Sequence, residues 1–311
     1  MDKQKLIDTH RRITPFIHRT PVMTSRLIDQ KAGAALFFKC ENFQGMGAYK
    51  LRGATNAILQ LSESQRKKGV VTHSSGNFAQ ALSLAAQRLG VDAHIVMPSS
   101  APKVKMEGVK AYGGNIYICA PTLEAREAEA DRIAEETGAT FMHPSNDMEV
   151  ILGQGTAAME LLEDHPDLDV IVTPVGGGGL IAGSALAAHY FGNNCQVIGA
   201  EPFEVDDAYR SFHSGKIETN ETTNTIADGL KTVLGDQTFP IIRQYVHDII
   251  RVTEEEIVSA MKLIWERMKI IVEPSSAVAL AAVLREPEYF QGKKVGIVIS
   301  GGNVDLGNLP F

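Results

Sequence analysis

The chain has 311 residues, 44% of them hydrophobic and 22% charged, and a formal charge of −7 with both signs interspersed. Such a length supports one large domain or two smaller ones around a sizeable core. The lack of a basic block argues against nucleic acid or an anionic membrane as partner, and no apolar run approaches the ~20 residues of a membrane span.

Cys40, Cys119 and Cys195 are odd in number and widely spaced, which fits a reduced, cytoplasmic setting without disulfides or a zinc site. The first residues, MDKQKLIDTHRRITPF, contain no apolar stretch of the kind a signal peptide needs. In chain order, Ile7 to Ile13 reads as a short helix that stops before Pro15, and Leu36 to Cys40 as a strand. The polar loop ENFQGMGAYK follows, then helical periodicity from Leu51 to Leu61.

Strands and helices then alternate. The spacing predicts strands at Val70 to Thr72, His94 to Met97, Ile116 to Cys119 and Thr140 to Met142, and helices at Phe78 to Leu89, Val104 to Ala111 and Leu123 to Glu136. This group is read as a small domain, 70–146, inserted into a larger one formed by 1–69 and 147–311. In the larger part, helices are predicted at Thr156 to Leu162, Ile257 to Met268 and Ser276 to Leu284, and strands at Val170 to Val172, Val197 to Glu201 and Val295 to Ile299. Phe203 to Leu234 reads as a long irregular segment. Strands that are apolar throughout, rather than alternating, point to an α/β fold with open, twisted, mostly parallel sheets and helices on both faces.

The most informative stretch is DVIVTPVGGGGLIAG, 169–183. Four glycines at the carboxyl end of a buried strand let a ligand approach the backbone, and the helix that follows aims free N–H groups at the same spot. This pattern predicts phosphate binding by Gly176, Gly177, Gly178 and Gly179. Gly177, Gly179 and Ala182 also fit the dinucleotide pattern G-x-G-x-x-A, with Glu201 where a ribose-binding acid would lie, so a dehydrogenase stays open on this motif. Two further strand ends carry polar groups: His73-Ser74-Ser75-Gly76-Asn77, which could cap a helix or bind a carboxylate, and Ser300-Gly301-Gly302-Asn303. Lys50, in GAYKLRG, is by composition an ordinary surface lysine. Beside a phosphate cradle it becomes a candidate Schiff-base amine for pyridoxal phosphate.

Taken together, these stretches resemble fold-type II pyridoxal-phosphate enzymes, in particular the serine racemase and serine/threonine dehydratase group. The resemblance runs through ENFQGMGAYKLRGATNA, HSSGNFAQAL, HPSND with GQGT, VGGGGLIAG, AEPFEVDDAY, TIADGLK, WERMKIIVEPSSAVALAAVL and SGGNVDL, in the family's order. It implies that Lys50 holds the cofactor and moves the Cα proton, that the glycines hold its phosphate, and that Asn77 and Ser300 meet its phenolic oxygen and pyridine nitrogen. Ser74, Ser75 and Asn77 would cradle the substrate carboxylate, and Ser75 would work opposite Lys50, so that a planar Cα could be reprotonated from either side. Loss of a β-hydroxyl from the same centre would give a 2-keto acid and ammonia. Glu201, Val205 and Asp207 match the family's divalent-cation site, with oxygen ligands suited to Mg²⁺, Ca²⁺ or Mn²⁺. A homodimer acting on a small hydroxy amino acid is also implied.

The chain departs from the pattern at Phe78, where a polar residue is common, and at Ala79, where the racemases commonly have glycine. Arg132 is read as the arginine that could meet a second substrate carboxylate, which makes threo-3-hydroxyaspartate the alternative to serine and threonine. The Tyr117 region is shifted by one residue from the racemases' nucleotide-contacting tyrosine, so activation by ATP is not predicted. Phe311 follows SGGN closely, so a C-terminal regulatory domain is not expected.

Overall fold

The computed structural model describes residues 2–101 and 103–311. Among the described residues ten strands follow in chain order: β1 (Val22–Met23), β2 (Ala35–Cys40), β3 (Val70–His73), β4 (Ala93–Pro98), β5 (Asn115–Cys119), β6 (Thr140–Phe141), β7 (Val170–Pro174), β8 (Gln196–Pro202), β9 (Asp248–Val252) and β10 (Lys294–Ile299). They form two sheets, β1-β2-β10-β7-β8-β9 and β5-β4-β3-β6. Every pairing is parallel except β1 with β2. The smaller sheet comes entirely from the predicted insert.

Burial on both faces explains the unbroken apolar strands. Val170 and Val172 of β7 point into one core cluster and Ile171 into another. In β10, Val295, Ile297 and Ile299 face the first cluster and Val298 the second. Each such side chain contributes roughly 1.5–3 kcal/mol on burial, and a period of two in a sheet covered on both sides calls for apolar residues at every position.

The helix Lys50–Gln60 bridges the two units. It packs against Asn77–Leu89 on the smaller sheet and Met148–Asp164 on the larger. Gly53 makes the second contact possible: a Cβ there would lie 2.7 Å from the Val150 carbonyl, and one on Gly153 would lie 2.5 Å from the Gly53 Cα. The close crossing fixes where the first residue of that helix, Lys50, emerges.

Several elements depart from the expectations. The predicted helix Thr156 to Leu162 is the end of one running Met148–Asp164, whose buried glycines and Gln154 concealed its first half. Arg26–Ala32 is a helix and β9 an edge strand, neither foreseen. The segment 203–234 contains the helix Asp207–Ser214 within an otherwise irregular path.

Candidate active site

The site lies where strand ends of both sheets meet. β10 neighbours β7 in the larger sheet, so Ser300 and the glycine loop are adjacent by topology. The Lys50 loop is laced to the same place: Tyr49 N–H donates to the Ser300 carbonyl at 3.0 Å, Gly302 N–H donates to the Gly47 carbonyl at 2.9 Å, and Ala48 bridges Gly301.

Lys50 is the first residue of its helix and is half-buried. Its Nζ donates to the Pro144 carbonyl at 2.7 Å and lies 5.1 Å from the Tyr49 ring centroid and 5.8 Å from that of Phe78. These low-dielectric surroundings lower its pKa to about 8, against the opposing pull of the Glu273 carboxylate. A fraction of free amine near neutral pH is what a Schiff-base lysine needs.

The glycine loop turns into the helix Gly179–Phe191 through Gly178, with φ of 82° and no side-chain cap. A Cβ on Gly177 would collide with the Ser145 hydroxyl, and one on Gly178 would sit 2.9 Å from Thr238 Cβ in a conformation L-residues avoid. Larger residues therefore cannot occupy the cradle. The helix Asn77–Leu89 likewise begins at Gly76 without a side-chain cap. The capping alternative for Ser74, Ser75 and Asn77 is not realised, and the first-turn N–H groups of that helix are left for an anion.

Asn77 is held in a polar chain. Its Nδ2 donates to both Glu273 oxygens at 2.8 and 3.1 Å, and its Oδ1 accepts from Asn303 Nδ2 at 2.9 Å. Burial, with Asp228 nearby, raises the Glu273 carboxyl to about 7. Glu273 did not stand out in the sequence, although it falls in a recognised stretch, whereas Asn303 belongs to the polar strand end that did. Ser300 is buried, its hydroxyl 2.9 Å from that of Ser276, which itself donates to the Gly301 carbonyl at 2.7 Å.

Glu201 and Asp207 are both fully buried; burial and then the Asp207 charge raise the Glu201 carboxyl, and burial raises that of Asp207 to about 6. Both Glu201 oxygens accept backbone N–H groups, from Ala208 and Tyr209 at 3.2 and 2.9 Å. With 0% exposure, Glu201 is not open to a ribose, which removes that support for a dehydrogenase. Among the described residues no trio of His, Cys, Asp or Glu side chains could hold a metal.

Arg132 is placed at the surface, in ion pairs within its own helix. It lies on the exposed face of the helix Leu123–Thr137 and is saturated by Glu129 and Glu136 at 2.7 and 2.6 Å, three and four residues away. In the first turn of that helix, Arg126 is half-buried instead, and its charge reaches His73 and Cys119 at the ends of β3 and β5. Six positions apart, Arg126 and Arg132 face different ways on a helix of 3.6 residues per turn.

An amine held near neutrality, a cradle only glycine can line, an uncapped helix start and a buried serine around one cleft fit pyridoxal phosphate, and they define an enzyme built on it. Residues 13–301 match the model of the pyridoxal-phosphate dependent enzyme family, and the chain belongs to that family. It is 48% identical to a beta-hydroxyaspartate dehydratase of Paracoccus denitrificans (99% of this chain, 98% of the relative) and 50% identical to a serine racemase of Dictyostelium discoideum (97% and 94%). The structure of maize serine racemase superposes with a TM-score of 0.96 at 50% identity, covering 98% of this chain and 94% of that one.

Proposed function

We propose that the protein is an ammonia-lyase and racemase of small L-3-hydroxy amino acids, serine and threonine among them. The reading is carried by the Lys50 amine, lowered toward neutrality, facing the same cleft as the glycine loop and Ser300. Pyridoxal phosphate, when bound, supplies an electron sink that acidifies the substrate Cα–H. Lys50 anchors it and moves the proton at Cα. Gly176 to Gly179 donate N–H groups to phosphate, Ser300 meets the pyridine nitrogen, and Asn77, oriented by Glu273 and Asn303, meets the phenolic oxygen. Ser74 and Ser75, with the uncapped helix start, hold the substrate carboxylate, and Ser75 serves the face opposite Lys50.

The assay follows 2-keto acid release and D-serine from L-serine, L-threonine and the threo-3-hydroxyaspartates. No turnover with any of them sinks the reading. Ser75→Ala is expected to cut D-serine formation at least about tenfold more than elimination, within the ~10²–10⁴ span of one general acid or base. Equal losses would make Ser75 a substrate holder only.

A second reading, a threo-3-hydroxyaspartate ammonia-lyase, is favoured by one observation. Arg126 brings a guanidinium to the strand ends beside His73, where a second substrate carboxylate could meet it. Arg126→Ala should then raise KM for hydroxyaspartate about tenfold or more while sparing serine, since a charged hydrogen bond contributes about 1.5–3 kcal/mol. Arg132→Ala should change neither.

Glu201, Asp207 and the Val205 carbonyl are inferred to take Mg²⁺, Ca²⁺ or Mn²⁺, which would relieve two buried, mutually repelling carboxylates. Mg²⁺ at about 100 times its Kd should stabilise the fold by about 2.7 kcal/mol, a gain EDTA reverses and Asp207→Asn abolishes. An unchanged melting temperature with all three cations would count against the site.

The division into 1–69 with 147–311 and an inserted 70–146 is supported by the separate smaller sheet, although residues 46–58 share its core. Exposed Phe43 and Ile271, linked through Asn42, support a homodimer, to be tested by sedimentation. The free thiols support a cytoplasmic setting. No helix among the described residues is long and apolar enough to cross a membrane.

A further inference from the structure

The turn from His143 to Asn146 lies where three parts of the cleft meet. Pro144 accepts the Lys50 amine at 2.7 Å. Ser145 abuts the glycine loop, since a Cβ on Gly177 would strike its hydroxyl and one on Gly179 would press its Cα at 3.1 Å. Asn146 ties the turn to the next loop, donating to Asp236 and accepting from Gln237 N–H, both at 2.8 Å.

The shape of this turn is set by His143. Its Nδ1 accepts the N–H groups of Ser145 at 3.1 Å and Asn146 at 2.7 Å. Asparagine and aspartate commonly do this for the residues that follow them, through the side-chain oxygen. A ring nitrogen that accepts two N–H bonds carries no proton, so the neutral imidazole keeps its hydrogen on Nε2. Burial first, then the neighbouring charges of His73 and Lys50, lowers the ring's pKa to about 4, with Asp236 opposing. The acceptor is therefore present throughout the neutral range.

We propose that His143 is a positioning residue for the reaction: its bare Nδ1 fixes the Pro144–Asn146 turn, and the turn holds the Lys50 amine in register with the glycine cradle. The inference rests on the roles given above to Lys50 and that cradle. It assigns the HPSN stretch a mechanical task and gives the imidazole no part in proton transfer.

The test compares His143→Phe, which keeps a ring and loses the acceptor, with His143→Asn, which restores an acceptor two and three residues before the same N–H groups. Pyridoxal phosphate is titrated into each cofactor-free protein by visible absorbance, and kcat and KM are measured on the loaded enzymes. His143→Phe should weaken cofactor affinity about tenfold or more and lower kcat with little change in KM, while His143→Asn stays within about threefold of the parent. If His143→Asn keeps affinity but loses kcat as fully as His143→Phe, the ring takes part in the chemistry and the proposal falls. Parental affinity and kcat in both variants would also overturn it. Should His143→Phe fail to fold, His143→Asn alone decides: parental values support the proposal and a tenfold loss refutes it. Lys50→Ala is titrated alongside. If it bound the cofactor with the parental affinity and spectrum, the underlying reading would fail independently of His143.

Discussion

Lys50→Ala should abolish both ammonia release and racemisation, by at least about 10⁴-fold, because one side chain supplies the cofactor attachment and the proton carrier. The fold should survive, since the Nζ has one hydrogen-bond partner, the Pro144 carbonyl, and the helix that Lys50 begins is held by the Gly53–Gly153 crossing. Cofactor absorbance, 2-keto acid release and melting temperature together separate these statements. The variant should also lose a pH dependence. In the cofactor-free parent the lysine pKa falls from 10.5 to about 8, so between those values the unfolded chain binds more protons and stability rises with pH. That rise should shrink in Lys50→Ala. A Lys50→Ala enzyme that still released keto acid at a tenth of the parental rate would remove the lysine from the mechanism.

The sequence carried the parts of this site whose chemistry needs unusual residues. Four successive glycines are explained only by a close approach, and the structure shows why: Ser145, Thr238 and the 229–230 backbone fill the space their side chains would need. Ser300 could be placed because it ends a strand that is apolar on both faces. Residues that act through others were harder to see. Glu273 follows Ile270, Ile271 and Val272 and reads as the ordinary start of a helix, and only the fold brings it to Asn77 across nearly two hundred residues. His143 had no signal of its own, because a side chain that accepts from the next two N–H groups leaves no periodic trace. The edge strand β9, with Arg251 and Asp248 in a run of three apolar residues, was lost to its polar content, as edge strands often are. Gly153 and Gly53 belonged to recognised stretches, GQGT and LRGA, yet their task proves to be helix packing.

The second large effect concerns stability and lies directly behind Lys50. Arg52, two residues beyond Lys50 and fully buried, makes paired hydrogen bonds with each of two carboxylates: to Glu41 at 2.8 and 2.8 Å and to Glu160 at 2.8 and 2.8 Å. Lys39 completes the set, donating to Glu160 and to the Thr20 carbonyl at 2.7 Å each, and Thr20 donates to Glu41 at 2.5 Å. Two cations and two anions balance away from water, which is tolerable only while every partner is present. Arg52→Met should therefore cost about 3–5 kcal/mol, far more than the lost packing, because Glu41 would be left buried without a cation and Glu160 with Lys39 as its only buried one. For a chain of this size the melting temperature should fall by roughly 10 °C. Arg132→Ala, which breaks exposed pairs with Glu129 and Glu136, should leave the melting temperature close to that of the parent. Acid should act on the same network. Burial alone would raise Glu160, yet His10, Arg52 and Lys39 together hold it well below the usual carboxylate range. Its contribution is thus complete above the unfolded carboxylate pKa and is lost as pH falls below it. Arg52→Met should abolish much of that acid sensitivity along with the stability. If the variant melted with the parent, the buried charges would be redundant with the glycine crossing, and the rigidity of the Lys50 helix would have to come from packing alone.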